Sequence, residues 1–339
     1  MQGSKKSTPS NPGNSTKGFQ MKIESLPHEQ VQVSFFDQIL ASDIIKRPGF
    51  LQSINLLCGF VALTLIFYTF SFLIDNELDW RILLYLNPDT HFVFIDNLMI
   101  LVTDFSMYFF GLVFLFYEIG CQISKHTQIA KKNIVTGMKI IGVLLSILIG
   151  SAHFWAGYTH NNIFFPLALI QLFVFWFMSN RVVQIDDAVI DRFNRLFWMT
   201  ALAVLLTELS VEVIKETVAR LRPLSGGYNL YAQGIRIVAD EGVQGGHSYV
   251  ASHSAVFFAM ITPLFYFISK KSLRAGLILW ALVHAFSRVY LAAHFPYCSV
   301  MGAALGFSMG TLVFRTFGGF EHSLHISRSL KNVTGARGF

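Results

Sequence analysis

Long apolar runs separated by short polar breaks dominate the chain between residues 50 and 316. An α-helix needs about 20 mostly apolar residues to cross the roughly 30 Å hydrocarbon layer of a membrane, because it rises about 1.5 Å per residue. Eight runs meet this requirement, at about 52–74, 93–117, 134–153, 162–180, 196–214, 249–268, 275–293 and 297–315. The pattern predicts an all-α protein: a polytopic transmembrane helical bundle of about eight spans.

The ends of the chain do not follow this pattern. Residues 1–49 are rich in Ser, Lys, Asn, Gln, Pro and Gly, a composition that buries little apolar surface and predicts a mostly disordered cytoplasmic tail. We divide the rest into N-terminal transmembrane spans over 50–195, a transmembrane core over 196–316 that carries the polar residues of interest, and a cytoplasmic C-terminal tail over 317–339.

The composition agrees with a membrane protein and excludes other classes. Hydrophobic residues make up 53% of the chain and charged residues only 14%, where soluble domains carry about 25% charge. Three cysteines do not form the framework of a secreted disulfide-rich domain. The net charge of +6 would suit nucleic acid only on a clustered basic face, and these Lys and Arg residues instead punctuate apolar runs. We expect no nucleic-acid partner.

The distribution of Lys and Arg predicts the orientation in the membrane. Nineteen of the 26 fall in the two tails and in the loops after the second, fourth and sixth runs. Because cytoplasmic loops carry the excess of positive charge, both termini should be cytoplasmic. Four of the five cations on the outer side lie in one loop, at Lys215, Arg220, Arg222 and Arg236. That placement opposes the rule and indicates that these residues have a use.

A first candidate block runs from Lys215 to Arg222-Pro223. The two cations are seven residues apart, and seven helical steps of about 100° would put both on one helix face. Two cations on one face repel each other unless an anion lies between them. The alternative is that both side chains snorkel to the membrane surface.

A second block opens the sixth run, with Ser252 and His253 at its outer end. A helix N-terminus presents unpaired N–H groups and a partial positive charge, so it favours an anion. A histidine placed there can donate a proton near neutral pH. His247, six residues earlier, competes for the same role, and simple helix capping is the structural alternative.

A third block follows at the outer end of the seventh run, with Ser287, Arg288 and His294. An unpaired guanidinium at membrane depth costs a few kcal/mol, so Arg288 should have an anionic partner or face a wet cavity. Ser287 and His294 are seven residues apart and are predicted on one helix face, with the helix ending near His294 because Pro296 follows.

Together the blocks bring two histidines and three cations to the outer ends of three consecutive runs, which is a set suited to a phosphoryl group. Arginine binds phosphate oxygens in bidentate fashion, lysine adds a point charge, and both stabilise charge that develops as phosphorus is attacked. One imidazole can attack phosphorus while the other protonates the leaving alkoxide. This chemistry requires no metal and no cofactor, and we identify no carboxylate–histidine cluster to hold a metal.

The blocks are similar to the signature of the type 2 phosphatidic acid phosphatase superfamily, which includes glucose-6-phosphatase and the vanadium haloperoxidases. That signature reads K-x6-R-P, then P-S-G-H, then S-R-x5-H-x3-D. Residues 215–223 match the first block in full, and Ser287, Arg288 and His294 match the third in a form that resembles the one in glucose-6-phosphatase. The resemblance covers about residues 200–315 and implies a six-helix core, to which this chain adds two earlier spans.

The resemblance implies roles for individual residues. His294 would be the nucleophile and His253 the acid that protonates the leaving group. The residues that would hold the phosphate are Lys215, Arg222, Arg288 and Ser252, with Ser287, Cys298 and His247 as possible auxiliaries.

Two positions depart from the signature. Val250, Ala251 and Ser252 stand where the family has Pro, Ser and Gly, and Ser252 could supply the hydroxyl that Ala251 lacks. Cys298 stands in place of the Asp that usually orients the nucleophilic histidine. His294 must then find another acceptor or be less reactive.

Acidic residues within the runs have a structural interpretation. Asp96 and Asp104 lie in the second run, and Glu208 and Glu212 lead into Lys215. We interpret them as partners that close the interior of a bundle, Glu212 with Lys215. A proton relay or ion path is the alternative.

We therefore expect an integral-membrane, metal-independent phosphatase that hydrolyses a lipid phosphate monoester or diphosphate through a phosphohistidine. Phosphatidic acid, phosphatidylglycerol phosphate, an isoprenyl diphosphate or lipid A would suit a site at the membrane boundary, and a soluble sugar phosphate is a lesser possibility. The expected location is the inner membrane of a bacterium, with the site facing the periplasm or outside. Two alternatives stay open: a lipid phosphotransferase of the same fold, and a non-catalytic lipid-binding or transport homologue. The sequence indicates no oligomeric state.

Overall fold

The computed structural model describes residues 77–87, 92–155, 164–225, 234–238 and 246–318, together with positions 55, 57 and 59. Its helices are, in chain order, α1 (Glu77–Leu86), α2 (Val93–His126), α3 (Lys131–Trp155), α4 (Phe164–Val182), α5 (Asp187–Val218), α6 (Ser252–Phe267), α7 (Lys271–Tyr290) and α8 (Pro296–Gly318). Within these ranges the β-pairing consists of an isolated antiparallel bridge between Leu221 and His247. The all-α prediction is confirmed. The predicted N-terminal tail, the predicted C-terminal tail after residue 318 and most of the first apolar run lie outside the described residues.

Each apolar run from residue 93 onward coincides with one helix, α2 to α8. By length and composition, three stretches within the described part of the chain could cross a membrane: Ser106–His126, Asp187–Val218 and Pro296–Phe317. Shorter apolar helical stretches are Val93–Thr103, Leu169–Val182 and Ser252–Phe267. The structure thus contains several apolar helices typical of a multi-pass membrane protein, and the count of eight spans stays a prediction.

Helix α1 was not predicted from the apolar pattern. It has ten residues and carries Glu77, Asp79 and Arg81, so it is too short and too polar to resemble a span. Leu83 on this helix is fully buried, whereas Leu78 and Tyr85 are exposed. Helix α1 therefore packs one apolar face against the bundle.

Helices α6 and α8 pack with their backbones close together. The spacing of Gly302, Gly306 and Gly310 places three glycines on one face of α8. A Cβ atom at Gly306 would lie 1.9 Å from the carbonyl oxygen of Ala255 on α6, and one at Gly302 would lie 2.5 Å from that of Ala251. Small residues at four-residue spacing permit this approach between membrane helices, and it sets the position of the α6 N-terminus.

A buried ion pair attaches the segment 234–238 to α2. The guanidinium of Arg236 donates to both carboxylate oxygens of Asp96, at 2.8 and 2.9 Å. The Tyr290 hydroxyl donates to the same carboxylate at 2.6 Å, and the Asn87 side-chain amide bonds both the N–H and the carbonyl of Arg236. Asp96 thus closes the bundle interior, as predicted. The side chain of Asp104 lies outside the described residues.

Candidate active site

The C-terminal end of α5 determines where the first-block cations lie. Helix α5 ends at Val218, and Ala219 adopts a left-handed conformation with φ of +49°. Pro223 cannot lie in the interior of a helix, because its ring would clash with the carbonyl of Ala219, so the helix has to end before it. The prediction that Lys215 and Arg222 share one helix face is therefore wrong. Lys215 is on the last turn of α5, and Arg222 is on the segment that follows.

The turn between α7 and α8 determines where His294 lies. Helix α7 ends at Tyr290, so the prediction that Ser287 and His294 share a helix face is also wrong. Pro296 excludes a helical bond at Ala292 in the same way, and Ala292 has φ of +53°. The carbonyl of Arg288 accepts the N–H of Ala293 at 3.0 Å and that of His294 at 3.2 Å. This compact turn holds the backbone of His294 against that of Arg288.

The imidazole of His294 is fully buried and has a defined orientation. Its Nδ1 lies 2.9 Å from the carbonyl oxygen of Ser248. Because a carbonyl can only accept, Nδ1 carries the proton and Nε2 carries the lone pair. Nε2 is buried and has no hydrogen-bond partner among the described residues. The arrangement presents Nε2 as an available nucleophile or base.

The surroundings of His294 favour its neutral form. Burial lowers the pKa of this imidazole, which lies in the turn outside the helices, well below its usual value. The positive charges of Arg288 and Arg222 lower the pKa further, and His253 acts in the same direction. Such charge effects act over short distances in a buried site. Residues from the three sequence blocks therefore influence one imidazole.

Lys215 lies at the N-terminus of α6. Its Nζ is 3.3 Å from the Ser252 hydroxyl and 2.9 Å from a carboxylate oxygen of Glu212, the predicted partner. Helix α6 begins at Ser252, and no side chain caps it from Ala251. Lys215 and the helix N-terminus therefore present positive charge in one place, which suits an anion.

The two candidate proton donors differ in their surroundings. His247 lies 3.8 Å from a carboxylate oxygen of Glu216, and its backbone forms the bridge with Leu221. His253 follows Ser252 on the first turn of α6 and affects the pKa of His294. The influence of His253 on the pKa of His294 favours His253 over His247 for a role beside His294.

The remaining residues of the second and third blocks have structural contacts. The Ser287 hydroxyl lies 2.5 Å from that of Thr103 on α2 and donates to the carbonyl of His284. The contact with Thr103 attaches α7 to α2 one residue before Arg288, whose side chain is buried. Cys298 is also buried, and its Sγ lies 3.3 Å from the Ser248 hydroxyl. The acceptor that orients His294 is the Ser248 carbonyl, a backbone group.

Two cations of the segment between α5 and α6 pair with carboxylates from earlier helices. Arg236 pairs with Asp96 on α2, and Arg220 donates to Asp79 on α1 at 2.7 Å. These partners are 140 and 141 residues away in sequence, so no local pattern indicated them. Within the described ranges, no group of three or more His, Cys, Asp and Glu side chains gathers as metal ligands would.

Comparison with known proteins assigns the segment that carries this site. Residues 195–321 match the sequence model of the PAP2 superfamily. This segment is a PAP2 superfamily domain. The resemblance to the type 2 phosphatidic acid phosphatase superfamily is thereby confirmed.

The chain is also similar to a curated protein. The lipid A 4'-phosphatase of Bacteroides thetaiotaomicron is 30% identical over 114 residues, which are 33% of this chain and 50% of that protein. The chain thus spans about half the length of the curated relative it matches. No solved structure matches the chain.

The site residues lie within the PAP2 domain, whereas some of the side chains that contact them come from helices that precede it. The domain includes every candidate site residue, from Lys215 to Cys298. Helices α1 and α2 precede it, and they supply Asp79, Asp96 and Thr103. Side chains outside the family domain therefore contact segments of the domain that carry or flank the site.

Proposed function

We propose that the protein is an integral-membrane phosphatase that cleaves phosphate from a lipid through a phosphohistidine at His294. The observation that carries this proposal is the state of the His294 imidazole: Nδ1 donates to the Ser248 carbonyl, and the buried Nε2 is left without a described partner. A buried nitrogen with an available lone pair, near Arg288 and Arg222, suits attack on a phosphate that those cations bind.

The reaction has two steps. The Nε2 lone pair attacks phosphorus, the bond to the lipid oxygen breaks, and His253 gives its proton to the leaving alkoxide. The phosphorylated ring is positively charged, and the Ser248 carbonyl stabilises it by accepting the Nδ1 proton in a hydrogen bond. Neutral His253 then removes a proton from water, which attacks phosphorus, breaks the N–P bond and releases inorganic phosphate.

The phosphate itself would be held by the cations and the α6 N-terminus. Arg222 and Arg288 neutralise charge on the phosphoryl oxygens, while Lys215 and the Ser252 hydroxyl, 3.3 Å apart, bind from the side of α6. The positive end of the α6 dipole acts in the same sense. Because these groups balance the charge without a divalent ion, we expect activity in the presence of a chelator.

A lipid substrate agrees with the location of the site along the helices. Lys125 at the end of α2 pairs with Asp191 at the start of α5. Asp191 and Lys215 are separated by 24 residues of helix, or about 36 Å at 1.5 Å per residue, which is on the order of the membrane thickness. If α5 spans the membrane, Lys215 lies at the surface opposite Lys125, the extracytoplasmic one by the distribution of positive charge.

The named relative narrows the proposed substrate class. That relative is a lipid A 4'-phosphatase of a bacterium, and the chemistry shared with it would be cleavage of a phosphate monoester from a membrane-anchored sugar or glycerol. We therefore propose bacterial lipid phosphates, with lipid A and phosphatidylglycerol phosphate as the first to test.

The test is phosphate release by the purified full chain in detergent with EDTA, across lipid A, phosphatidic acid, phosphatidylglycerol phosphate and an isoprenyl diphosphate. His294→Asn retains a side-chain N–H that can donate to the Ser248 carbonyl but lacks a nucleophilic ring nitrogen, so it should fold and be inactive. Rapid acid-free quenching with a radiolabelled lipid should show an alkali-stable, acid-labile label in wild type only. Wild-type release by the Asn variant would refute the nucleophile assignment. Transfer of label to a second lipid instead of water would identify a phosphotransferase.

A further inference from the structure

Helix α1 contacts the turn that carries His294, although it precedes the PAP2 domain by more than a hundred residues. One carboxylate oxygen of Asp79 accepts the backbone N–H of Tyr297, in the first turn of α8, at 3.0 Å. The other oxygen accepts from Arg220 at 2.7 Å. Both side chains of this ion pair are only 13% exposed. Asp79 thus bonds two segments that flank the candidate nucleophile.

Arg220 contacts several residues that surround His294. Its guanidinium stacks 4.1 Å from the ring centroid of Phe295, the next residue after His294. One of its nitrogens lies 3.5 Å from the Cys298 Sγ. Its backbone carbonyl accepts the N–H of Ser248 at 2.6 Å. Arg220 therefore contacts the residues on both sides of the bond between His294 and the Ser248 carbonyl.

Trp80 completes the contact from α1. Its ring packs edge-to-face on Phe295, with the ring centroids 4.8 Å apart. Phe295 is fully buried and is in contact with Trp80 and with Arg220. A residue held in this way leaves little freedom to the backbone of the preceding His294.

From these contacts we infer that Asp79 is a positioning residue for His294, acting through Arg220 from outside the PAP2 domain. A largely buried guanidinium needs a counter-charge to keep one geometry, and Asp79 supplies it. Because Arg220 contacts both Ser248 and Phe295, a fixed Arg220 holds both residues in place. The hydrogen bond from Nδ1 of His294 to the Ser248 carbonyl, which determines the direction of Nε2, is then retained. Cys298 stands where the family signature has Asp, so the carboxylate on this side of the site comes from α1.

The inference rests on the proposed function, and the test distinguishes a failure of the Asp79 role from a failure of the phosphatase assignment. Asp79→Asn is nearly isosteric and removes only the charge. We expect kcat for lipid phosphate release to fall about tenfold to a hundredfold, the scale of effect of a misplaced catalytic group, with little change in KM. Glu77→Gln, which breaks an exposed pair with Arg81 on the same helix, is the matched control and should leave kcat unchanged.

A second substitution tests the charge argument. Cys298→Asp in the Asp79→Asn background returns a carboxylate within reach of Arg220 and should restore most of kcat. Restoration, or a lowered kcat with an unchanged thermal midpoint in detergent, supports the positioning role. A wild-type kcat in Asp79→Asn overturns it. So does a loss of kcat that is explained by a lower thermal midpoint and that Cys298→Asp does not restore. If wild-type protein releases no phosphate from any lipid, the proposed function itself fails.

Discussion

Replacement of Gly306 by Ala should separate α6 from α8 and disable the site from a distance. The added Cβ would lie 1.9 Å from the Ala255 carbonyl oxygen and 2.9 Å from the Ala259 nitrogen, both backbone atoms that cannot rotate away. An ordinary contact begins near 3.4 Å, so the helices must move apart by about 1.5 Å, a large shift for a close-packed interior. Overpacking of this kind typically costs about 1–3 kcal/mol.

The displacement would reach the candidate site because Ala255 is one turn from the start of α6. The Ala251 N–H bonds the Cys298 carbonyl at 3.1 Å, and a shift of this size would break that bond. His253 would move relative to His294, and a misplacement of about 1 Å can cost about a hundredfold in rate. We therefore expect a lower thermal midpoint in detergent and a loss of lipid phosphate release.

Gly276→Ala is the matched control for this experiment. Gly276 is also in a helix, and a Cβ added there meets nothing within 4 Å. The higher helix propensity of Ala should leave stability unchanged or raise it by up to about 1 kcal/mol. A Gly306→Ala protein that unfolds at the wild-type temperature and retains wild-type activity would refute the proposed dependence of the site on the α6–α8 contact.

Three further predictions address single side chains. His253→Ala should reduce kcat far more than His247→Ala, and the reverse order of losses would reassign the proton donor. In the pH profile of kcat/KM, the fall on the acid side that reports protonation of His294 should lie below pH 6.5, because protonation of Nε2 blocks attack and burial lowers its pKa. Arg288→Gln removes a positive charge that lowers this pKa, so the acid-side fall should move to higher pH. An unchanged profile would contradict the proximity of Arg288 and His294. Arg236→Gln removes the counter-charge of the buried Asp96 carboxylate and should destabilise the fold by about 3–5 kcal/mol. Thermal unfolding measures this loss, and an unchanged midpoint would contradict a structural role.

Much of the helical framework could be predicted from apolar runs because a membrane helix needs a long, uninterrupted apolar segment. The ends of the helices were harder to predict from the sequence. The face-sharing predictions for residues 215 and 222, and for 287 and 294, failed because α5 ends at Val218 and α7 ends at Tyr290, in each case before the second residue of the pair. Pro223 and Pro296 follow within a few residues and cannot lie in the interior of those helices. The Gly302, Gly306 and Gly310 spacing was visible in the sequence and could have indicated the close contact of α8 with α6.

The support of the site could not be predicted from the sequence for a different reason. Asp79 is on a short amphipathic helix with no motif, and its partner Arg220 is 141 residues away. The orienting acceptor of His294 is the Ser248 carbonyl, and a backbone group has no sequence signature. The three blocks identified which residues carry charge and protons, whereas their geometry depends on tertiary contacts that the blocks do not encode.

The state of His294 bears on whether the protein is an enzyme or a non-catalytic homologue. A buried polar atom without a protein partner costs about 1–3 kcal/mol, and in a native protein it is explained by strain, by a catalytic role, or by a bound water or ion. Nε2 of His294 is such an atom among the described residues, while Nδ1 is held by Ser248. A protein that only binds lipid would gain stability by replacing this imidazole with an apolar side chain. The oriented, neutral imidazole near Arg288 and Arg222 suits attack on phosphorus, a role that lipid binding alone does not require, and it therefore favours the phosphatase over the binding protein.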